Sequence, residues 1–169
     1  MGQKAILLAE DDPAHAELIR RAFTETRQDC RLEVVRSGTE MIEYLFATGA
    51  YAERDSTQMP HLILLDLKMP KMGGLQVLQV LRRVRSDGRP PFPPVVIFTS
   101  SSTEVDVTEA YRLGAHSYVQ KPVEFQKFVA AVCQIVAYWL ELNEPLPTGR
   151  AGLPGDAARL APSIALGEA

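Results

Sequence analysis

Leu62-Ile63-Leu64-Leu65-Asp66-Leu67-Lys68-Met69-Pro70 sets four consecutive apolar residues directly before an aspartate. An apolar run without polar alternation is the pattern of a parallel strand covered by helices on both faces. Four more runs repeat it, at Ala5 to Ala9, Leu32 to Val35, Val95 to Phe98 and Tyr118 to Val119. Helix-period segments follow the five runs. Leu18, Ile19, Ala22 and Phe23 mark the first, and Met41, Ile42, Leu45 and Phe46 the second. Leu75, Leu78, Leu81 and Val84 mark the third, and Val107, Ala110 and Tyr111 a weaker fourth. Phe125, Phe128, Val129, Val132, Val136 and Trp139 form a stripe on the fifth and longest, the stripe expected to lie under the sheet. Strict alternation of strand and helix predicts an α/β fold, a doubly wound five-stranded parallel sheet with right-handed crossovers.

The chain has 169 residues, room for one domain at about 150 residues each. With 46% hydrophobic and 23% charged residues it can bury a core, and its net charge of -3 supplies no field for direct DNA binding. No N-terminal signal pattern is read, and no run is expected to reach the roughly 18 apolar residues of a membrane span, which implies a cytoplasmic protein with no membrane contact. Cys30 and Cys133 lack metal-ligand spacing and read as buried thiols. The periodicity stops after Leu142, so residues 1–142 are expected to fold, and 143–169, rich in Ala, Gly and Pro, to form a flexible tail without an output domain. Two connections, Ala47 to Pro60 and Ser86 to Pro94, are long and carry no recognisable site.

Ligands of an open parallel sheet bind beyond the carboxyl ends of the strands. Those ends are polar here: Glu10-Asp11-Asp12 after the first, Asp66 after the third, Thr99-Ser100-Ser101-Ser102 at the fourth and Lys121-Pro122 after the fifth. Carboxylates about 5 Å apart repel by roughly 3 kcal/mol per pair at an effective dielectric near 20, so the cluster calls for a cation. A hard divalent ion such as Mg2+ suits carboxylates, a carbonyl and waters. Asp12, followed by Pro13, reads as a helix N-cap. Asp66 is the nucleophile candidate, because a strand-end carboxylate beside a metal can form an acyl phosphate, with Thr99 and Lys121 binding the transferred oxygens.

These residues, Glu10-Asp11, Asp66 with Lys68-Met69-Pro70, Thr99-Ser100 and Lys121-Pro122, resemble the receiver domain of bacterial response regulators over about residues 4 to 142. The resemblance implies a flavodoxin-like receiver fold and a phosphoacceptor signalling protein, not an enzyme acting on an external substrate. It implies that a histidine kinase phosphorylates Asp66, that Asp11 ligates Mg2+ directly and Glu10 through water, and that Lys68 adds its backbone carbonyl. It also implies that Thr99 and Tyr118 form a coupled switch pair, phosphate drawing the Thr99 hydroxyl inward and opening space for Tyr118. Gly49 and Tyr51 in the long connection, and the closing Tyr138-Trp139-Leu140-Glu141, resemble single-domain regulators that pair with bacterial phytochromes. Gly73 departs from the pattern, which more often has Asp there, and Gly73-Gly74 is expected to loosen the loop.

Three rivals fit less well. An aspartate-nucleophile phosphatase needs a second Asp where Lys68 stands. In a flavin or dinucleotide module, Glu10-Asp11-Asp12 would repel the phosphate. A receiver that is never phosphorylated would lack part of the set. His15, His61 and His116 read as surface or strand-edge residues. On the last helix, Ala131, Ile135, Tyr138 and Leu142 form a second apolar stripe. It is expected to be a homodimer interface, in line with the resembled subgroup's pairing through its fourth helix, fifth strand and fifth helix.

Overall fold

The apolar runs form strands β1 (Lys4–Ala9), β2 (Cys30–Val35), β3 (Leu62–Leu65), β4 (Val95–Thr99) and β5 (Ser117–Gln120). Between and after them run helices α1 (Pro13–Glu25), α2 (Gly38–Phe46), α3 (Gly74–Ser86), α4 (Glu104–Arg112) and α5 (Phe125–Ala137). A 3-10 turn occupies Gly49–Tyr51, and a π-helical turn, Tyr138–Leu142, continues α5. The structure, a computed structural model, describes residues 3–25, 29–86 and 92–145, so the tail from 146 to 169 and much of the 86–94 connection lie outside the described residues.

All strand pairs are parallel, in the order β2-β1-β3-β4-β5. The chain steps outward from β1 to β2 and then crosses back to β3. This reversal opens a crevice beyond the carboxyl ends of β1 and β3, where such sheets bind ligands. Successive strand residues point to opposite faces, and the core divides accordingly. Leu7, Ile63, Leu65 and Ile97 pack with Met41, Val77, Leu78 and Ala110 of α2, α3 and α4. Ile6, Leu8, Leu64 and Phe98 pack with Ile19 and Phe23 of α1 and Phe128, Val132 and Val136 of α5. Both faces are covered, so β3, the central strand, is buried throughout.

Several helix faces differ from the sequence reading. On α5, Phe125, the first residue of the helix, is 53% exposed rather than under the sheet. Ile135, placed on the outer stripe by the sequence, is buried at 8% exposure: it stands seven residues after Phe128 and three after Val132, and so shares their face. Ala131 is half-buried against the same cluster, leaving Tyr138 and Leu142 as the exposed members of that stripe. On α3, Val77 is fully buried and was missed, and on α4 Tyr111 is exposed. Cys30 and Cys133 are half-buried.

The helix from Phe125 to Leu142 has 18 residues and a mean hydropathy of 1.2, which meets the length and composition of a membrane span, contrary to expectation. Its inner face, Phe128, Val132, Val136 and Leu140, is taken up by the core. Elsewhere the strand-edge reading of two histidines holds, since His61 Nδ1 accepts from the Ala5 amide and His116 Nδ1 from the Val95 amide, both at 3.1 Å.

Candidate functional site

Strand register assembles the site. Ala9 pairs with Leu65, so Glu10 and Asp66, the next residues of their strands, leave the sheet side by side. The Asp66 amide donates to the Ala9 carbonyl at 3.1 Å, holding the nucleophile candidate against β1. Thr99 pairs with Gln120, and the Lys121 amide donates to the Thr99 carbonyl at 2.7 Å. Residues 111 positions apart in sequence thereby meet: Lys121 Nζ donates to Glu10 Oε2 at 2.6 Å and to Asp66 Oδ2 at 2.8 Å.

Glu10, Asp66 and Lys121 are all buried, so this is a desolvated cation between two carboxylates. Burial pushes the Glu10 carboxyl above the usual carboxylate range; Lys121 opposes the rise and the Asp66 charge adds to it. Glu10, Asp11 and Asp66 can each offer an oxygen, and these atoms lie within 4.8 Å of one another. An all-oxygen, anionic donor set fits a hard divalent ion.

Asp12 does not join that set. Its Oδ1 accepts from the Ala14 amide at 2.8 Å and the His15 amide at 3.4 Å, the N-cap role read from sequence. The Ala14 amide holds the Asp12 carboxyl below the usual range.

The turn after Asp66 folds back on it, the Lys68 amide donating to Asp66 Oδ1 at 3.3 Å. The expected loosening at Gly73-Gly74 is not found. The Gly74 amide donates to the Leu67 carbonyl at 3.0 Å and the Gly73 amide to Gln76 Oε1 at 2.9 Å. A Cβ on Gly74 would come within 2.4 Å of the Asp66 carbonyl oxygen, so glycine is what lets α3 start this close to the site.

Thr99 is fully buried, and its Oγ1 accepts from the Ser101 amide at 3.3 Å. Tyr118 hydroxyl donates to the Ser101 carbonyl at 3.0 Å, and burial raises its phenol pKa. The two expected switch residues thus meet through Ser101, whose own hydroxyl donates to Asp106 on α4. In this structure the half-buried Tyr118 already reaches the β4–α4 loop through its bond to Ser101.

One residue was missed. His15, read as a surface residue, brings Nδ1 to 3.2 Å from Lys121 Nζ and stacks on Phe128, ring centroids 6.0 Å apart. The available signal was its place in the first turn of α1, directly after the acidic strand end.

The family model of the response regulator receiver domain matches residues 6–133. The probable methanogenesis regulatory protein FilR2 of Methanothrix harundinacea is 37% identical over 82% of this chain and 84% of its own length. Response regulator Rcp1 of Synechocystis sp. is 33% identical over 82% of this chain and 90% of its own. The structure of the Mn2+-bound form of response regulator Rcp1 has a TM-score of 0.74 at 32% identity, covering 85% of this chain and 99% of that one. The structure of the phosphorylated cyanobacterial phytochrome response regulator RcpA has a TM-score of 0.75 at 31% identity, covering 85% of this chain and 98% of that one. A parallel sheet in the order β2-β1-β3-β4-β5, acidic residues and a lysine gathered at its switch point, and a family match over most of the described residues lead to one conclusion: the chain belongs to the response regulator receiver domain family of two-component signalling.

Proposed function

We propose that this protein takes a phosphoryl group from a sensor histidine kinase, of the phytochrome type, onto Asp66 in the presence of Mg2+ and then presents a changed surface to a downstream partner. The observation that carries this reading is the buried contact of Lys121 Nζ with Asp66 and Glu10 at the sheet's switch point. An Asp66 carboxylate oxygen attacks the phosphorus of phosphohistidine, the P–N bond breaks, and the electron pair leaves with the imidazole. The phosphoryl group is thereby carried as an acyl phosphate.

Glu10, Asp11, Asp66 and the Lys68 carbonyl would hold the metal. Mg2+ supplies charge for the incoming phosphoryl oxygens. The protein's own part is positional: β3 holds Asp66, while Lys121 and Thr99 face the transferred oxygens. Thr99 and Tyr118 act as the switch pair through their shared contact with Ser101. The protein serves as a phosphoacceptor, promoting its own phosphorylation and dephosphorylation rather than turning over an external substrate. It works in the cytoplasm without DNA or membrane contact.

The exposed apolar residues Val105 and Tyr111 on α4, Val123 and Phe125 around the start of α5, and Tyr138 and Leu142 in the π turn that follows it support a homodimer. Light scattering reports it: Tyr138→Glu with Leu142→Glu should shift the mass toward the monomer, and a monomeric unaltered protein overturns it. For the site, incubation with candidate kinases or a small phosphodonor plus Mg2+ should yield acid-labile, hydroxylamine-sensitive phosphate that Asp66→Asn abolishes. Phosphate retained by Asp66→Asn refutes the assignment.

A further inference from the structure

Lys71 has a backbone φ of 64°, in the left-handed region that a residue with a Cβ rarely enters. Across it, the Met72 amide donates to the Pro70 carbonyl at 2.7 Å. A three-residue turn closed in this way around a positive φ is the strained form of the γ-turn. Such strain persists only where the surroundings impose it, and here they do. Met69 and Met72 pack against the core on either side of the turn. The Met72 carbonyl accepts from the amide of Gly38, the first residue of α2, at 3.0 Å, and a Cβ on Gly38 would come within 2.4 Å of that oxygen. The start of α2 is itself fixed by a reciprocal cap, in which Ser37 Oγ accepts from the Glu40 amide at 3.2 Å and Glu40 Oε2 from the Arg36 amide at 2.8 Å. The bond from the Gly74 amide to the Leu67 carbonyl closes the loop on its other side. Residues 68–71 therefore span two pinned points, with the φ of Pro70 set by its ring.

We propose that Lys71 is a positioning residue which, through its backbone and not its charge, holds the segment that aims the Asp66 carboxylate. The inference rests on the reading of Asp66 as the phosphoacceptor. Two donors orient that carboxylate, Lys121 Nζ on Oδ2 at 2.8 Å and the Lys68 amide on Oδ1 at 3.3 Å. The first comes from the end of β5 and is independent of the loop. The second lies three residues before Lys71, in the span whose path the left-handed turn sets. A residue that resists positive φ shifts the population toward loops that have lost the bond from Gly38 to Met72 or the bond from Lys68 to Asp66. Only the remaining fraction is competent, and apparent affinity and rate fall by that fraction. Substitutions at this position should therefore rank by their tolerance of left-handed backbone, not by charge or size.

The test measures three quantities on the full chain: Mg2+ affinity by calorimetry, the rate of phosphate uptake from phosphoramidate, and Tm. Lys71→Asn accepts left-handed backbone readily; it should raise Tm by about 2–4 °C and keep affinity and rate within about twofold of the unaltered protein. Lys71→Met removes the charge at equal backbone cost and should also stay within about twofold. Lys71→Val, which is β-branched, should lose about threefold in both affinity and rate, and Lys71→Pro, which excludes positive φ, about tenfold. If Lys71→Pro does not fold, the valine variant decides. Affinity and rate retained by Lys71→Val overturn the proposal whatever its Tm, because the turn is then a structural feature only. A loss in Lys71→Met equal to that in Lys71→Val also overturns it, by assigning the effect to charge. An unaltered protein that neither binds Mg2+ nor takes up phosphate overturns the phosphoacceptor reading and this inference together. One that does both, with variants out of this order, overturns this inference alone.

Discussion

Replacing Lys121 with methionine removes the cation between Glu10 and Asp66 while keeping an unbranched apolar stem. Glu10 is 2% exposed and Asp66 6%, so neither carboxylate can turn to water for compensation. Their ligand oxygens lie within 4.8 Å, a repulsion of about 3 kcal/mol at an effective dielectric near 20. Breaking a buried ion pair from one side costs about 3–5 kcal/mol. Lys121→Met should therefore lower Tm by roughly 10–20 °C for a domain of this size.

The loss should depend on pH. Burial already holds Glu10 above the usual carboxylate range, and without the ammonium it rises further. A carboxyl whose folded value exceeds its unfolded one keeps its proton longer in the native state, so stability falls as pH rises from the unfolded value through the folded one. The deficit of the variant should thus shrink toward acid. Scanning calorimetry on the single variant and on Glu10→Gln/Lys121→Met checks the reasoning, because the second change removes one of the opposed charges and should restore about 2 kcal/mol. Added Mg2+ should stabilise the single variant as well. A loss under about 1 kcal/mol, or a double variant no more stable than the single one, would refute the argument that the lysine is held there by two desolvated carboxylates.

Gly74→Ala puts a Cβ within 2.4 Å of the Asp66 carbonyl oxygen and 3.0 Å of the Leu67 Cα, both backbone atoms, and should cost roughly 2–3 kcal/mol in chemical denaturation while slowing phosphorylation. An alanine variant as stable as the original contradicts the close approach. Burial first, helped by Lys4 for His61 and by Arg85 for His116, lowers both imidazole pKa values. The unfolded chain then takes up these protons first, so stability should fall as pH drops below about 6.5 toward the folded values, with both rings titrating late by NMR. Ile135→Asp should destabilise the fold by about 3 kcal/mol or more, because it buries a charge in the α5 face of the core, whereas Leu142→Glu, compared at a concentration where both proteins are monomeric, should stay within about 0.5 kcal/mol. Equal stability of the two in urea would return Ile135 to the surface.

The sequence by itself determined the five strands, their parallel character and the chemistry at their ends. These are local properties: the Leu62–Leu65 run has no polar alternation and is too short for a buried helix, which makes it a doubly covered strand, and Asp66 follows it whatever the rest of the chain does. Asp12 as a cap was legible for the same reason, since a cap bonds to amides two and three residues away. The sequence could not decide what depends on packing between elements. Helical periodicity yields two candidate faces on α5, and only the phase at which the helix docks on the sheet buries Ile135, while Phe125, in phase with the buried face, is left out at the helix's first residue. Nor does any local pattern connect His15 to Lys121, 106 positions apart, or Tyr118 to Ser101. Those contacts arise where α1 and the β4–α4 loop fold over the strand ends, and the register of a parallel sheet, set by all its strands together, decides which side chains meet there.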